Sequence, residues 1–135
     1  MSDYGHHPHE IRPTLSALKA RYDGYKLFVV FQPHQYSRTR ELLEEFVMAF
    51  DDADELYIPD IYFSRDSEED MREMPVRHLI TRLQERYPHT HGGDGLEEAA
   101  RYLEYVDHAS PGKYLFLLLG AGNVDELRDT FLYRE

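Results

Sequence analysis

Three short segments of the chain hold residue types that bind or activate substrates. The first is Asp3-Tyr4-Gly5-His6-His7-Pro8-His9-Glu10, with three histidines and two carboxylates in eight residues. Neutral imidazoles and carboxylates are good ligands for zinc and similar ions. Ligands crowded on one short segment rarely all point inward, so the other reading is an exposed loop that caps the next helix. No metal site is assigned. The second segment is Phe31-Gln32-Pro33-His34-Gln35-Tyr36-Ser37-Arg38-Thr39-Arg40. It lies where a strand gives way to a helix. A helix N-terminus offers free N–H groups and a partial positive charge, which suits phosphate or carboxylate. Arg38 and Arg40 add bidentate donors. The bland alternative makes Ser37 or Thr39 the helix cap and leaves the arginines solvated. The third segment is Gly120-Ala121-Gly122-Asn123. It resembles the start of a dinucleotide fingerprint but lacks the third glycine, and glycines after a buried strand often serve only a tight turn.

Other chemistries are excluded. There is no cysteine, hence no disulfide framework, thiolate metal site or thiol nucleophile. There is no Walker A loop for nucleotide phosphates and no GxSxG nucleophile elbow. The net charge is −11, from 15 basic and 26 acidic residues. Duplex nucleic acid and anionic membranes need a basic face, so neither is an expected partner. No apolar run approaches the roughly 18 residues that span a bilayer, and no signal peptide is visible at the start. The expectation is a soluble cytoplasmic domain. A length of 135 residues suits one domain with one core.

The elements that must position these segments follow from periodicity. Residues 9–22 read as a helix, with Ile11, Leu15, Leu18 and Tyr22 on one face and Pro13 in the first turn. Residues 27–31 (LFVVF) form a continuous apolar run, as in a strand buried on both faces. Residues 32–37 are the loop after it. Residues 40–50 read as the next helix, with Leu42, Leu43, Phe46, Val47 and Phe50 inward, and residues 55–59 as a short strand. Residues 64–73 are polar and acidic without a core pattern, and read as an exposed loop. Residues 75–87 read as a helix, 89–95 as Gly-rich turns with a brief strand as an option, and 96–106 as an amphipathic stretch. Residues 114–119 (YLFLLL) are the strongest strand, and a helix over about 124–132 follows the glycines. Doubly apolar strands alternating with helices mean βαβ units: a mostly parallel, Rossmann-like α/β sheet with helices on both faces. In such sheets ligands sit at the carboxyl ends of strands, which singles out residues 32–40 and 120–123.

Together the strings DYGHHPHE, FQPHQYSRTRELLEEF and LLLGAGNVDEL, in this order and at these spacings, resemble the C-terminal domain of the UDP-N-acetylmuramate–L-alanine ligases. The likeness runs from residue 3 to about residue 131 and is least distinctive over 64–91. It implies an ATP-dependent ligase of peptidoglycan biosynthesis with three domains. The first binds the UDP-sugar, the central one holds ATP, and the third closes over the site and helps admit the amino acid. Residues 1–135 correspond to the third domain alone. UDP-N-acetylmuramate, L-alanine, ATP and Mg2+ would then be met through the other domains, with no cofactor tightly bound here and no catalysis by this domain alone. The resemblance places Asp3 toward the ATP ribose and Tyr4 and His6 near the nucleotide and its phosphates. It places Arg38, as the catalytic candidate, toward substrate and phosphate, with His34, Gly120, Ala121 and Gly122 on the substrate side. Gln35 stands where many members carry arginine, and Ser2 where a second aspartate is usual. The start reads as a cut at a domain boundary. A stand-alone nucleotide- or anion-binding regulatory module is the alternative. On the ligase reading Arg38 makes its contact only when the domain closes, so in the isolated domain it is expected to be exposed and to carry little stability.

Overall fold

The computed structural model describes residues 2–3, through their backbone alone, and residues 7–120. The five strands are β1 (Ser2–Asp3), β2 (Lys26–Phe31), β3 (Glu55–Ile58), β4 (Thr90–Gly92) and β5 (Tyr114–Leu119). They form one sheet in the order β1-β5-β2-β3-β4, and every neighbouring pair is parallel. β5 is therefore an interior strand, as its unbroken apolar run requires. β1 is too short to leave a period in the sequence.

The helices are α1 (Pro8–Arg21), α2 (Tyr36–Glu41), α3 (Leu43–Val47), α4 (Glu68–Glu73), α5 (Val76–Arg86) and α6 (Gly95–Ala109). Alternate strand residues divide the core in two. Leu27, Val29, Phe31, Leu56, Ile58, Leu117 and Leu119 pack with α1, α3 and α5 through residues such as Ile11, Leu15, Phe46, Leu79 and Leu83. Phe28, Val30, Tyr57, Phe116 and Leu118 face the other way and pack with Ala99, Leu103 and Val106 of α6. Burying each large apolar side chain contributes roughly 1.5–3 kcal/mol, so both faces must be covered. Among the described residues no helix is long and apolar enough to cross a membrane.

Three local expectations change. Pro8, not Pro13, occupies the first turn of α1, and Pro13 lies inside the helix. The helix expected over 40–50 starts earlier, at Tyr36, and breaks at Leu42, whose N–H is shared between Arg38 O and Arg40 O. It resumes as α3, and Phe50 lies buried beyond its end. The acidic stretch 64–73 contains α4 rather than a plain loop. Ser67 Oγ accepts from Asp70 N at 3.1 Å and Asp70 accepts from Ser67 N at 3.0 Å, a reciprocal capping box. Glu68, Glu69 and Asp70 in the first turn suit the positive end of the helix dipole. No residue of α4 is buried, so this helix had no apolar period to reveal it. The helix expected over 124–132 lies outside the described residues.

Candidate functional site

The strand register brings the three chemistry-bearing segments to one edge. Asp3 of β1 and Phe31 of β2 are both paired with Leu119 of β5. Gln32 N, just past β2, donates to Leu119 O at 2.9 Å. Gly120, buried and at φ 152°, continues from there. The backbone at Asp3, the FQPH loop and the first glycine of GAGN therefore lie side by side at the carboxyl ends of three adjacent parallel strands, where α/β sheets place ligands. Tyr4, His6, Ala121, Gly122 and the side chain of Asp3 lie outside the described residues.

The loop after β2 is clasped by the loop after β3. Tyr62 N donates to Pro33 O and Gln35 N to Tyr62 O, both at 2.8 Å. The His34 ring stacks on Tyr62 with centroids 5.5 Å apart and planes 18° from parallel. Gln32 Nε2 donates to Asp60 Oδ1 at 2.7 Å. Asp66 reaches the start of α2, where its Oδ2 accepts from Tyr36 N at 2.9 Å and its Oδ1 from Ser37 N at 3.1 Å. Burial pushes the Asp66 carboxyl up, but the backbone donors of Tyr36, Ser37 and Ser64 outweigh it and hold the group below its ordinary range. The cap of α2 is thus neither Ser37 nor Thr39. Thr39 is buried inside the helix, with its hydroxyl on Gln35 O at 2.7 Å. Two of the first-turn N–H groups read from the sequence as an anion site, those of Tyr36 and Ser37, are already occupied by the protein's own carboxylate.

Gln35 sits at φ 78° and ψ 125°, outside the regions L-residues favour. Such a backbone costs on the order of 1–3 kcal/mol and persists where surrounding bonds over-determine it. Here the N–H of Gln35 is held by Tyr62, and its carbonyl accepts from both Thr39 N and Thr39 Oγ1. Strain of this kind often marks functional sites.

Arg38 lies in the first turn of α2 and is half-buried rather than exposed as expected. It lines an open cleft of about 460 Å³ with His7, Gln35, Ser37, Glu41 and Leu42. Among the described residues it has no salt-bridge partner. Arg40, by contrast, is engaged by Glu73 of α4 and drops out as a ligand donor. His34 does not line this cleft; it belongs to the clasp beside it. His7 caps α1, accepting from His9 N at 3.2 Å through Nδ1, which agrees with the capping reading of the first segment. No group of residues able to hold a metal occurs among the described residues. A larger cleft of about 580 Å³ lies between α1 and α3. Its Arg12 faces Asp51 at 3.6 Å and its Glu44 pairs with Arg82 at 2.8 Å, so those charges are already committed.

Sequence reasoning missed Asp60, Tyr62 and Asp66. Each comes from a loop about 30 residues away in the chain, and one carboxylate among many in an acidic stretch carries no local signal.

A family model described as Mur ligase, glutamate ligase domain, matches residues 1–122. The chain belongs to this family. The UDP-N-acetylmuramate–L-alanine ligase of Geobacter sp. (strain M21) is 41% identical over 138 residues, covering 99% of this chain and 28% of the relative. That of Alkaliphilus metalliredigens (strain QYMF) is 42% identical over 124 residues, covering 92% of this chain and 25% of the relative. The chain therefore spans about a quarter of the length of the curated relatives it matches. The solved UDP-N-acetylmuramate-alanine ligase of Thermotoga maritima superposes with a TM-score of 0.71 at 23% identity, over 98% of this chain and 25% of that one. At that identity the likeness speaks to the fold: a Rossmann-like α/β domain of the Mur ligase type.

Proposed function

We propose that this chain acts as the C-terminal domain of an ATP-dependent UDP-N-acetylmuramate–L-alanine ligase of peptidoglycan synthesis. It closes over the ATP and amino-acid site and is not catalytic alone. The observation that carries this reading is the likeness to such ligases over 99% of the chain at 41% identity. ATP, with Mg2+, supplies the phosphoryl group that activates the muramyl carboxylate for attack by the alanine amine.

The role of this chain's own residues is positional and electrostatic. Developing negative charge on the activated carboxylate needs a fixed cation in a site closed to water. Arg38, half-buried in an open cleft at the carboxyl end of the sheet, is the described cation that fits. The backbone at Asp3 and Gly120 lies on the same edge of the sheet as the start of the loop that leads to Arg38. The phosphate cradle is expected from the rest of the enzyme, because Asp66 occupies the start of α2, the helix that carries Arg38. That occupancy also removes the main support for a stand-alone anion-binding module.

The test is a chimera in which this chain replaces the matching 28% of the Geobacter sp. ligase. It should release phosphate from ATP only with both UDP-N-acetylmuramate and L-alanine present. Arg38→Ala should lower kcat/KM roughly a hundredfold, or about 3 kcal/mol, the scale of one transition-state donor. The same substitution should leave the Tm of the isolated chain nearly unchanged, since unpaired surface-proximal charges contribute roughly 0–1 kcal/mol. A destabilised chain with normal turnover in the chimera would make Arg38 structural. ATP hydrolysis by the purified chain alone, abolished by Arg38→Ala, would overturn the view that the domain is inactive by itself.

A further inference from the structure

We propose that Asp66 is the positioning residue for Arg38: from the loop after β3 it pins the first turn of α2, and so sets where the Arg38 guanidinium points. The proposal rests on the reading of Arg38 as the substrate-facing cation. Its geometric basis is independent of that reading.

The two carboxylate oxygens of Asp66 accept separately, Oδ2 from Tyr36 N at 2.9 Å and Oδ1 from Ser37 N at 3.1 Å. Oδ2 also accepts from Ser64 N at 3.2 Å, which folds the acceptor loop around the carboxylate. Arg38 is the next residue after the two pinned amides. The residue before them, Gln35, holds a backbone at φ 78° that an untethered chain would leave. Arg65, beside Asp66, is the other described non-glycine residue at positive φ. Strained backbone thus flanks the contact on both loops, with Tyr62 bridging them. A cap serving α2 alone would come from its own N-terminal residue. Here it comes from 30 residues away, so the aim of Arg38 depends on the loop after β3 being in place. The carboxylate also neutralises the positive helix start, which leaves Arg38 as the cation a substrate would meet.

The experiment uses the 15N-labelled chain, titrated from neutral pH down through the carboxylate range. The amides of Tyr36 and Ser37 should share one inflection, and the Arg38 Nε–Hε signal should move with the same midpoint. Asp66→Asn, which keeps a single acceptor oxygen, should abolish that inflection and shift or broaden the Arg38 signal. It should leave the α6 amides in place. Asp60, His7 and Glu41 are the other ionisable groups at this edge, and an inflection that survives the substitution is not caused by Asp66. In the chimera, Asp66→Asn should lower kcat about tenfold or more, as misplacement of a catalytic group does, while KM for UDP-N-acetylmuramate changes little. Amides of Tyr36 and Ser37 that do not titrate together, or an Arg38 signal indifferent to Asp66, would overturn the proposal. If Asp66→Asn fails to fold, the titration of the unaltered chain still decides the matter. If Arg38→Ala leaves the chimera fully active, the ligase role of Arg38 has failed, while the amide and guanidinium signals still decide the pin.

Discussion

Gly92 closes β4 opposite Ile58 of β3, at φ 133°. A Cβ built there would stand 2.0 Å from Ile58 O and 2.7 Å from Ile58 C. Both are backbone atoms of an interior strand and cannot swing aside. Gly92→Ala therefore combines two penalties. A non-glycine residue at that φ costs on the order of 1–3 kcal/mol, and forcing a methyl group into a filled space typically costs about 1–3 kcal/mol more. Reduced freedom of the unfolded chain returns roughly 0.4–1 kcal/mol of stability to neither sum but against both. The net loss is about 1–5.5 kcal/mol, at its upper end a large share of the roughly 5–15 kcal/mol that holds a domain together.

Gly24 provides the matched control. Its φ is 95°, and a Cβ there meets nothing within 4 Å. Gly24→Ala bears the backbone term without the collision, so the difference between the two variants isolates the β3–β4 contact. Urea and thermal unfolding of both should put Gly92→Ala about 1–3 kcal/mol below Gly24→Ala, or roughly 3–15 °C in Tm for a domain of this size. The damage should also reach the site, because Gly93 N and Gly95 N donate to Ile58 O and Pro59 O, where the loop that clasps residues 32–37 begins. Equal losses in the two variants would refute the close approach of β4 to Ile58 and the register that demands glycine there.

Two further outcomes are expected. Ser67→Ala removes the capping box of α4 and should lower stability by about 1 kcal/mol, with hydrogen exchange speeding up across residues 68–73; unchanged exchange would mean that the charged first turn alone holds this helix. Burial, with Asp94 and Glu98 nearby, pushes Tyr57 up to about 12, and the hydrogen bond to Glu55 does the same for Tyr114. These folded-state values lie above the ordinary 10, so the stability they contribute is whole below pH 10 and is lost as pH rises toward 12. Ultraviolet titration of the 11 tyrosines should show a late-ionising fraction that shrinks in Tyr114→Phe, and a single transition near 10 would contradict it.

What the sequence revealed and what it hid divide along one physical line. β2 and β5 were legible because burial on both faces writes an unbroken apolar run. α5 and α6 were legible because one buried face writes a helical period, Leu79, Ile80 and Leu83 in one and Ala99, Leu103 and Val106 in the other. That the loops after β2 and β5 share one edge followed from the rule that parallel sheets bind at their carboxyl ends; that Asp3 joins them did not, because a two-residue strand leaves no period. The start of α2 was not legible, because its cap comes from Asp66 and not from a neighbouring residue. α4 was missed because its cap and charges make a helix with no buried side chain. Its Ser67-to-Asp70 spacing was the available signal, since a Ser followed three residues later by an acid can start a helix without any apolar period. The half-burial of Arg38 was hidden for the same reason as its cap: both depend on loops that meet only in three dimensions.

A net charge of −11 looks unsuited to a domain that would close over a nucleotide and a sugar carboxylate. The structure shows why the total is a poor guide to the local field. Arg12 and Arg86 face Asp51, Lys19 faces Asp54, Arg40 faces Glu73, Arg82 faces Glu44 and Arg101 faces Glu98. These six cations are spent within the domain, and together they offset five carboxylates, Arg12 and Arg86 sharing Asp51. Surplus acids on the remaining surface act through water and salt, where fields between exposed charges fade over about 8 Å at physiological ionic strength. At the carboxyl edge Asp66 is itself consumed by three backbone amides. In its proposed role Arg38, half-buried beside its cleft, would act at contact distance in a medium less polar than water, where one charge outweighs many distant ones. On that reading excess acidity would keep anions off the rest of the surface, with Glu41 the one acid among the described residues that line the cleft itself. Raising the salt concentration should weaken any anion contact at Arg38 less than it weakens repulsion elsewhere.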